Sequence, residues 1–500
     1  MMQTDNRWLV LAIVSTALFL IVVDMTVLYT ALPRLTHDLA ATVSEKLWII
    51  NAYPLVVAGL LPGAGTLGDR LGARTLFVWG LCVFGAASLL AAYSPTAAIL
   101  IVARGLLAVG AAMMMPATLS IIRNTFADER ERAFAIGIWA AIASGGAAIG
   151  PVIGGALLEY FWWGSVFLIN VPIVLLTIPL ALRFIARSRP GAAQPWDLTG
   201  SLQIMLGLIG LTYAIKELSK RSPSVGIAML AAAAGLLFLA LFARRQRYAA
   251  TPLIDFSLFR NRHFSSGVLA AVIAAVALIG IELVLTQRLQ LVQEMTPLQA
   301  GLFILPLPLA SFIAGPLAGL FLTRIGTARV MWAMLLLTGA GAVVYLQAYQ
   351  SGPALQIAAM SMMGFGLGAA MTAASSAIMQ NAPPERAGMA ASIEEVSYEL
   401  GGSLGVTLLG SLMSAIYTAS LTLPEHLQVP MTAYDSLDEA LMLAETLPRE
   451  AAAQLAELAR LAFDQAFSGV MLAAALLLGL AAALIAWSNR TGRVPAAQSA

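Results

Sequence analysis

The sequence predicts an all-α integral membrane protein: fourteen transmembrane helices in two six-helix halves, an extra pair between them, and both termini cytoplasmic. Three observations predict it. Hydrophobic residues make up 60% of the 500 residues and charged ones only 11%, where a soluble domain carries about 25% charged. Apolar runs of about 20 residues, enough to cross a bilayer, recur along the whole chain. A triad of residues after the second run also returns, at the same spacing, after the tenth.

The first run, 8–32, is too long for the apolar core of a cleavable signal and lacks a small-residue cleavage site, so it is expected to stay as a span. Runs at 46–67, 75–93, 96–121, 133–158 and 163–184 complete the first half. Those at 198–218 and 225–243 have no counterpart and form the extra pair. TPLIDFSLFRNRHF (251–264) reads as an interfacial helix leading into the ninth span. The second half runs 264–288, 298–322, 328–349, 354–379, 388–416 and 465–488. The implied units are 1–190, 191–262 and 263–500, the last with an external loop at about 418–464. Most of the 28 lysines and arginines lie in loops on the face holding both termini, which the positive-inside rule makes cytoplasmic.

The external loop is acidic, and Arg449–Phe463, after Pro448, reads as an amphipathic helix. Two readings stay open for the loop: a solvated hairpin, or an acidic gate acting on release of cationic cargo. The recurring triad is Gly65, Arg70 and Gly72, repeated 254 positions later as Gly319, Arg324 and Gly326; Arg132 recurs at the same offset as Arg386. Parallel repeats of this kind bracket a central site near the midplane, opened alternately to each side.

The chemistry lies in the few charges inside spans. Arg104 is the only basic residue well inside one. An unpaired guanidinium there costs at least several kcal/mol, so a partner is expected, and an intramembrane charge is a functional candidate by default. Asp24, in FLIVVDMTVLYTALP, falls at comparable depth by helical rise, and the two are expected to pair. Glu394, Glu395 and Glu399 lie in SIEEVSYELGGSLG, with Glu395 and Glu399 on one helix face. Glu282 in the ninth span is either a further site acid or a span-end acid facing outer water. Trp48, Tyr53 and Tyr398 are candidate aromatics for contact with cargo.

Two glycine-rich motifs complete the set. In GTLGDRLGART, Gly65, Asp69, Arg70, Gly72 and Arg74 suit a tight turn with charge contacts that latch one conformational state; positive-inside anchoring explains the arginines but not the aspartate. In GAAIGPVIGG, Gly146, Gly150, Pro151, Gly154 and Gly155 would weaken a soluble helix. In a membrane they let two helix backbones touch. Together these motifs resemble the hallmark loop and antiporter motif of the major facilitator superfamily. Asp24 in its setting, RGLLAVGAA around Arg104, FLINVPI (167–173), QAGLFILP (299–306) and the extra pair resemble its fourteen-span drug:proton antiporters, most of all the enterobacterial viologen-resistance pumps.

That resemblance implies proton-coupled efflux across the bacterial inner membrane. Its cargo would be cationic, often lipophilic: viologens, quaternary ammonium biocides, cationic dyes and bisbiguanides. Asp24, Arg104, Glu282, Glu394, Glu395 and Glu399 would then serve proton coupling or cargo charge. The alternative is a major facilitator exporter of another small molecule or metabolite. An enzyme, a cofactor, a metal site, a nucleic-acid partner and an obligate protein partner are not expected. Cys82 is the sole cysteine, the three histidines form no cluster, and no phosphate loop or selectivity filter appears.

Overall fold

A computed structural model describes residues 6–187, 197–218, 223–249, 252–349, 351–383, 386–424, 427 and 429–490. They form helices α1 (Arg7–Asp38), α2 (Val43–Leu71), α3 (Ala73–Ala92), α4 (Ala97–Thr125), α5 (Glu129–Tyr160), α6 (Ser165–Leu168), α7 (Asn170–Phe184), α8 (Leu198–Leu218) and α9 (Val225–Tyr248). There follow α10 (Arg262–Gln287), α11 (Pro297–Ile304), α12 (Pro306–Ile325), α13 (Thr327–Ala348), α14 (Pro353–Gln380), α15 (Ala387–Ser420), α16 (Leu437–Ala444) and α17 (Arg449–Arg490). Among the described residues thirteen helical stretches are long and apolar enough to cross a membrane. The 32-residue α5 is additional to these.

Local chemistry sets the boundaries. Thr42 and Glu45 close a capping box on α2, and Thr296 and Gln299 close another on α11, each satisfying two amide donors that a helix start leaves open. The tenth apolar run is broken at Leu305: Pro306 has no N–H to continue the ladder, so α12 starts afresh there. Two predicted features come out differently. The 251–264 segment contains a short 3-10 turn, Phe256–Arg260, and only from Arg262 does α-helix begin. The amphipathic stretch after Pro448 is no separate helix: α17 runs 42 residues from Arg449 through the last span.

The internal repeat appears in backbone geometry. Gly72 joins α2 to α3 at φ 88°, ψ 134°, and Gly326 joins α12 to α13 at φ 88°, ψ 140°, a conformation that only glycine adopts cheaply. The predicted loop at 65–75 is therefore mostly helix, since α2 persists to Leu71 and Gly72 alone makes the turn.

Buried apolar side chains form two large clusters, one mainly from α1–α7 and the other mainly from α10–α17. The α8–α9 pair is joined by glycines: a Cβ on Gly210 would lie 2.9 Å from the Gly235 Cα. α8 packs on both α2 and α15, so it touches both clusters.

Candidate functional site

The polar centre of the first cluster is built from five helices, α1, α2, α3, α4 and α7. Asp24 is fully buried on α1, and Arg104 on α4, only 2% exposed, donates from Nη1 to Asp24 Oδ2 at 2.5 Å. Arg104 Nε also donates to the Ile49 carbonyl oxygen at 3.2 Å, and its guanidinium lies 4.7 Å from the centre of the Tyr53 ring. The remaining side of the carboxylate is held from α7, where Asn170 Nδ2 donates to Asp24 Oδ1 at 3.1 Å and to Ser88 Oγ at 3.2 Å. The expected Asp24–Arg104 pair is thus in place. Asn170 was not among the expected site residues, although it lies in the quoted FLINVPI; a lone amide in an apolar run was the available signal.

Arg104 also faces a cavity of about 130 Å³ between the clusters, walled by Met25, Tyr29, Tyr53, Met371, Tyr398 and Glu399. Of the expected aromatics, Tyr53 and Tyr398 line it. Trp48 does not: Lys216 of α8 sits over its ring at 4.2 Å, with Tyr213 alongside. The α15 acids divide. Glu399 is buried at the cavity wall, and its Oε2 has no hydrogen-bond partner among the described residues. Glu395 lies one helical turn nearer the termini, half-buried. Glu394 is turned to α14, where Ser375 is a hydrogen-bond partner, and its Oε1 lies 3.3 Å from the Tyr398 hydroxyl, whose one proton is shared between that carboxylate and the Met371 carbonyl oxygen, also at 3.3 Å. Glu282 is buried on α10.

The Gly-Pro motif proves to be a packing surface with two partners. A Cβ on Gly150 would lie 1.8 Å from Thr26 Oγ1, and one on Gly154 2.4 Å from Val27 Cγ2, so α5 rides directly on α1; Gly146 sits against Phe19 and Val22. On the same helix Gly155 faces the other cluster, where a Cβ would come 2.6 Å from the Leu298 Cα, and Gly301 of α11 packs on the Pro151 carbonyl oxygen. The motif therefore joins α1 to α5 and, at the end away from the termini, one cluster to the other.

Among the described residues, the polar ties between the clusters gather at that far end. Lys46 Nζ donates to Gln287 Oε1 at 2.6 Å and pairs with Asp438 of α16, all three buried. Asn51 donates to Thr407 Oγ1 at 2.8 Å, and Gln290 Nε2 to the Thr30 carbonyl oxygen at 3.0 Å. His37, at the end of α1, meets Glu445 just beyond α16 at 3.2 Å. Part of the acidic loop is thus folded into the junction as a helix. At the opposite end Arg70 is exposed and Arg74 donates to the Leu182 carbonyl oxygen. The surroundings of Gly65 and the side chain of Asp69 lie outside the described residues, so the latch contact expected of Asp69 does too.

Burial, and then the neighbouring Asp435, push Glu439 on α16 up to about 7 from its ordinary 4.5. For an acid shifted upward on docking, the docked state is fully favoured below 4.5 and loses that advantage as pH rises through about 7. Amide hydrogen exchange over 437–444 should therefore speed up between pH 5 and 8 beyond its intrinsic rise, by no more than about tenfold given solvent screening. Glu439→Gln should flatten that extra dependence; an unchanged profile would show that Glu439 does not couple docking to pH.

Comparison with known proteins agrees with this architecture. The sequence profile of the Major Facilitator Superfamily matches residues 14–406. The chain is 41% identical over 469 residues to the methyl viologen resistance protein SmvA of Salmonella typhimurium, covering 92% of this chain and 93% of that one. It is 37% identical over 487 residues to the multidrug efflux pump LfrA of Mycolicibacterium smegmatis, covering 97% and 96%. In fold it resembles the crystal structure of a bacterial homolog to the human lysosomal transporter Spinster, inward-facing and unoccupied, at TM-score 0.69 and 16% identity, with 98% of each chain covered. The apolar helices, the two clusters meeting over a small cavity and these relatives lead to one conclusion: the chain belongs to the Major Facilitator Superfamily, as a multi-pass transporter of a bacterial inner membrane and not an enzyme.

Proposed function

We propose that this transporter is a proton-coupled antiporter that expels cationic, lipophilic compounds, of the class that includes viologens, quaternary ammonium biocides, cationic dyes and bisbiguanides. The observation that carries the reading is the buried Asp24–Arg104 pair standing beside a cavity that also holds Glu399. A buried carboxylate with a fixed cationic partner is a site that can exchange a proton for a change in pairing. The cavity's tyrosines offer ring faces to a cation, and Met25 and Met371 offer adaptable apolar contact. The names of SmvA and LfrA point the same way.

In this reading α5 is the fourteenth span and both termini are cytoplasmic. Units 1–190 and 263–500 rock about the site, with the pair in 191–262 bridging them. The far-end ties then close the outer side, and the state is inward-facing. At about 130 Å³ the cavity is smaller than the roughly 300–1,000 Å³ of small-molecule sites, so cargo enters only as the halves part further on the inner side.

The test is purified protein in liposomes preloaded with a cationic dye, given an imposed proton gradient without nucleotide. Dye movement should follow the gradient and stop with a protonophore, and external cargo should release protons from the purified protein. Gradient-independent movement would overturn the antiport. Gradient-driven movement of neutral or anionic compounds alone would point to another exported class.

A further inference from the structure

We infer that Asn170, set by Ser88, is the reversible hydrogen-bond partner that keeps Asp24 bonded in both its charged and its protonated form, and so positions Asp24 for proton exchange. The inference rests on the reading of Asp24 as the proton-carrying acid, and the experiment below separates the two.

The argument starts from what each neighbour can do. In the observed state Asp24 accepts on both oxygens: from Arg104 on Oδ2 and from Asn170 on Oδ1. Once a proton settles on Oδ1, the carboxyl has an O–H to donate and needs an acceptor. Arg104 cannot serve, because a guanidinium has five donors and no acceptor. An amide can, since it carries donor and acceptor on one planar group, and a serine hydroxyl adapts to either. Asn170 is the group bonded to Oδ1, with Ser88 behind it on the same amide, and both are fully buried.

The second observation is an orphan. Asn170 Oδ1 is buried and has no hydrogen-bond partner among the described residues. Leaving such an acceptor unpaired costs about 1–3 kcal/mol, and buried groups of this kind usually have a reason. Here the reason is adjacent. Rotating the amide by half a turn about its last torsion brings Oδ1 to the protonated Asp24, and the Ser88 hydroxyl turns from acceptor to donor. Only the amide's own Oδ1 and Nδ2 exchange places, no covalent bond other than O–H forms or breaks, and the proton ends on Asp24 Oδ1. The orphan in the charged state is the partner required in the neutral one.

The other ionisable groups that face this centre act differently. Arg104 on α4 pairs with Oδ2, with Tyr53 of α2 beneath its guanidinium. Tyr29 lies along α1 at the cavity, Glu399 of α15 lies at the cavity wall, and Glu282 of α10 approaches from Tyr29's side. These bear on charge at Asp24 through space; only Asn170 offers Oδ1 both a donor and an acceptor.

Infrared difference spectra of the reconstituted protein across a pH titration provide the test. A protonated-carboxyl band that disappears in Asp24→Asn should be accompanied, at the same midpoint, by an amide carbonyl band that disappears in Asn170→Leu. Efflux by Asn170→Leu should fall roughly tenfold or more, from one buried hydrogen bond lost to a charged group, with KM for cargo nearly unchanged and the pH profile altered. Ser88→Ala should keep the amide band but move its midpoint, which covers the case in which Asn170→Leu fails to fold. A carboxyl band of Asp24 with no amide band in step would overturn the role of Asn170 while sparing the proton site. Absence of any Asp24 carboxyl band would overturn the reading on which it rests.

Discussion

Asp24→Asn is expected to abolish efflux of every cargo, monovalent or divalent, while the protein still inserts into the membrane. The substitution preserves shape and removes the carboxylate paired with Arg104 in the centre of the first cluster. A buried ion pair stripped of one partner leaves an uncompensated charge, at a cost of about 3–5 kcal/mol. Arg104 keeps its bond to the Ile49 carbonyl oxygen and its place over Tyr53, so the site should persist in shape but not in switching. An amide cannot take up and release a proton in the working range, so loss should be to background whatever the cargo. The measurement is gradient-driven dye efflux in liposomes with matched protein content, alongside thermal stability. Asp24→Glu, which keeps a titratable group, should retain measurable transport. Efflux by Asp24→Asn within a few-fold of the parent would remove Asp24 from the coupling mechanism.

The depth of Asp24 and Arg104 was legible in the sequence because helical rise converts residue number into height, and an intramembrane charge must find a partner. The packing role of Gly150 and Gly154 was legible for a similar reason, since small residues at helical spacing mark close helix approach. What Gly155 touches was not: its neighbour Leu298 belongs to the other half of the chain, and no local pattern says which distant helix a face will meet. The same limit hid Lys46 and Asp438, paired across 392 positions. Lys46 reads as a span-end charge and Asp438 as one acid among many, until α16 folds back between the clusters. The break at Leu305 was signalled by Pro306, yet hydropathy runs through it unchanged. Trp48 was a reasonable candidate for cargo contact by type and depth, but α8 claims its ring through Lys216 and Tyr213.

Glu399→Gln is expected to impair efflux of divalent cations far more than that of monovalent ones. Glu399 is the α15 acid at the cavity wall, it is buried, and one of its oxygens has no hydrogen-bond partner among the described residues; that leaves capacity for a cationic ligand. Attraction between cargo and carboxylate scales with cargo charge, at about 4 kcal/mol per unit charge at 4 Å in an effective dielectric of 20, before desolvation is subtracted. Whatever fraction survives, a divalent cargo loses twice what a monovalent one loses, so the fold-changes should relate roughly as a square: a tenfold loss for one against about a hundredfold for the other. Arg104 sharpens the contrast, because it faces the same cavity and repels both cargos, the divalent one more. Glu395→Gln should show the same order with a smaller difference, since Glu395 stands one turn away from the cavity wall towards the termini. Glu394→Gln should discriminate least, its carboxylate being turned to Tyr398 and α14. The measurement is efflux of a matched pair, one aromatic cation carrying a single quaternary nitrogen and its doubly charged analogue, in each variant at equal expression. Equal losses for both cargos in Glu399→Gln would move that residue from reading cargo charge to carrying the proton, and Asp24 would then share the coupling with a second acid across the cavity.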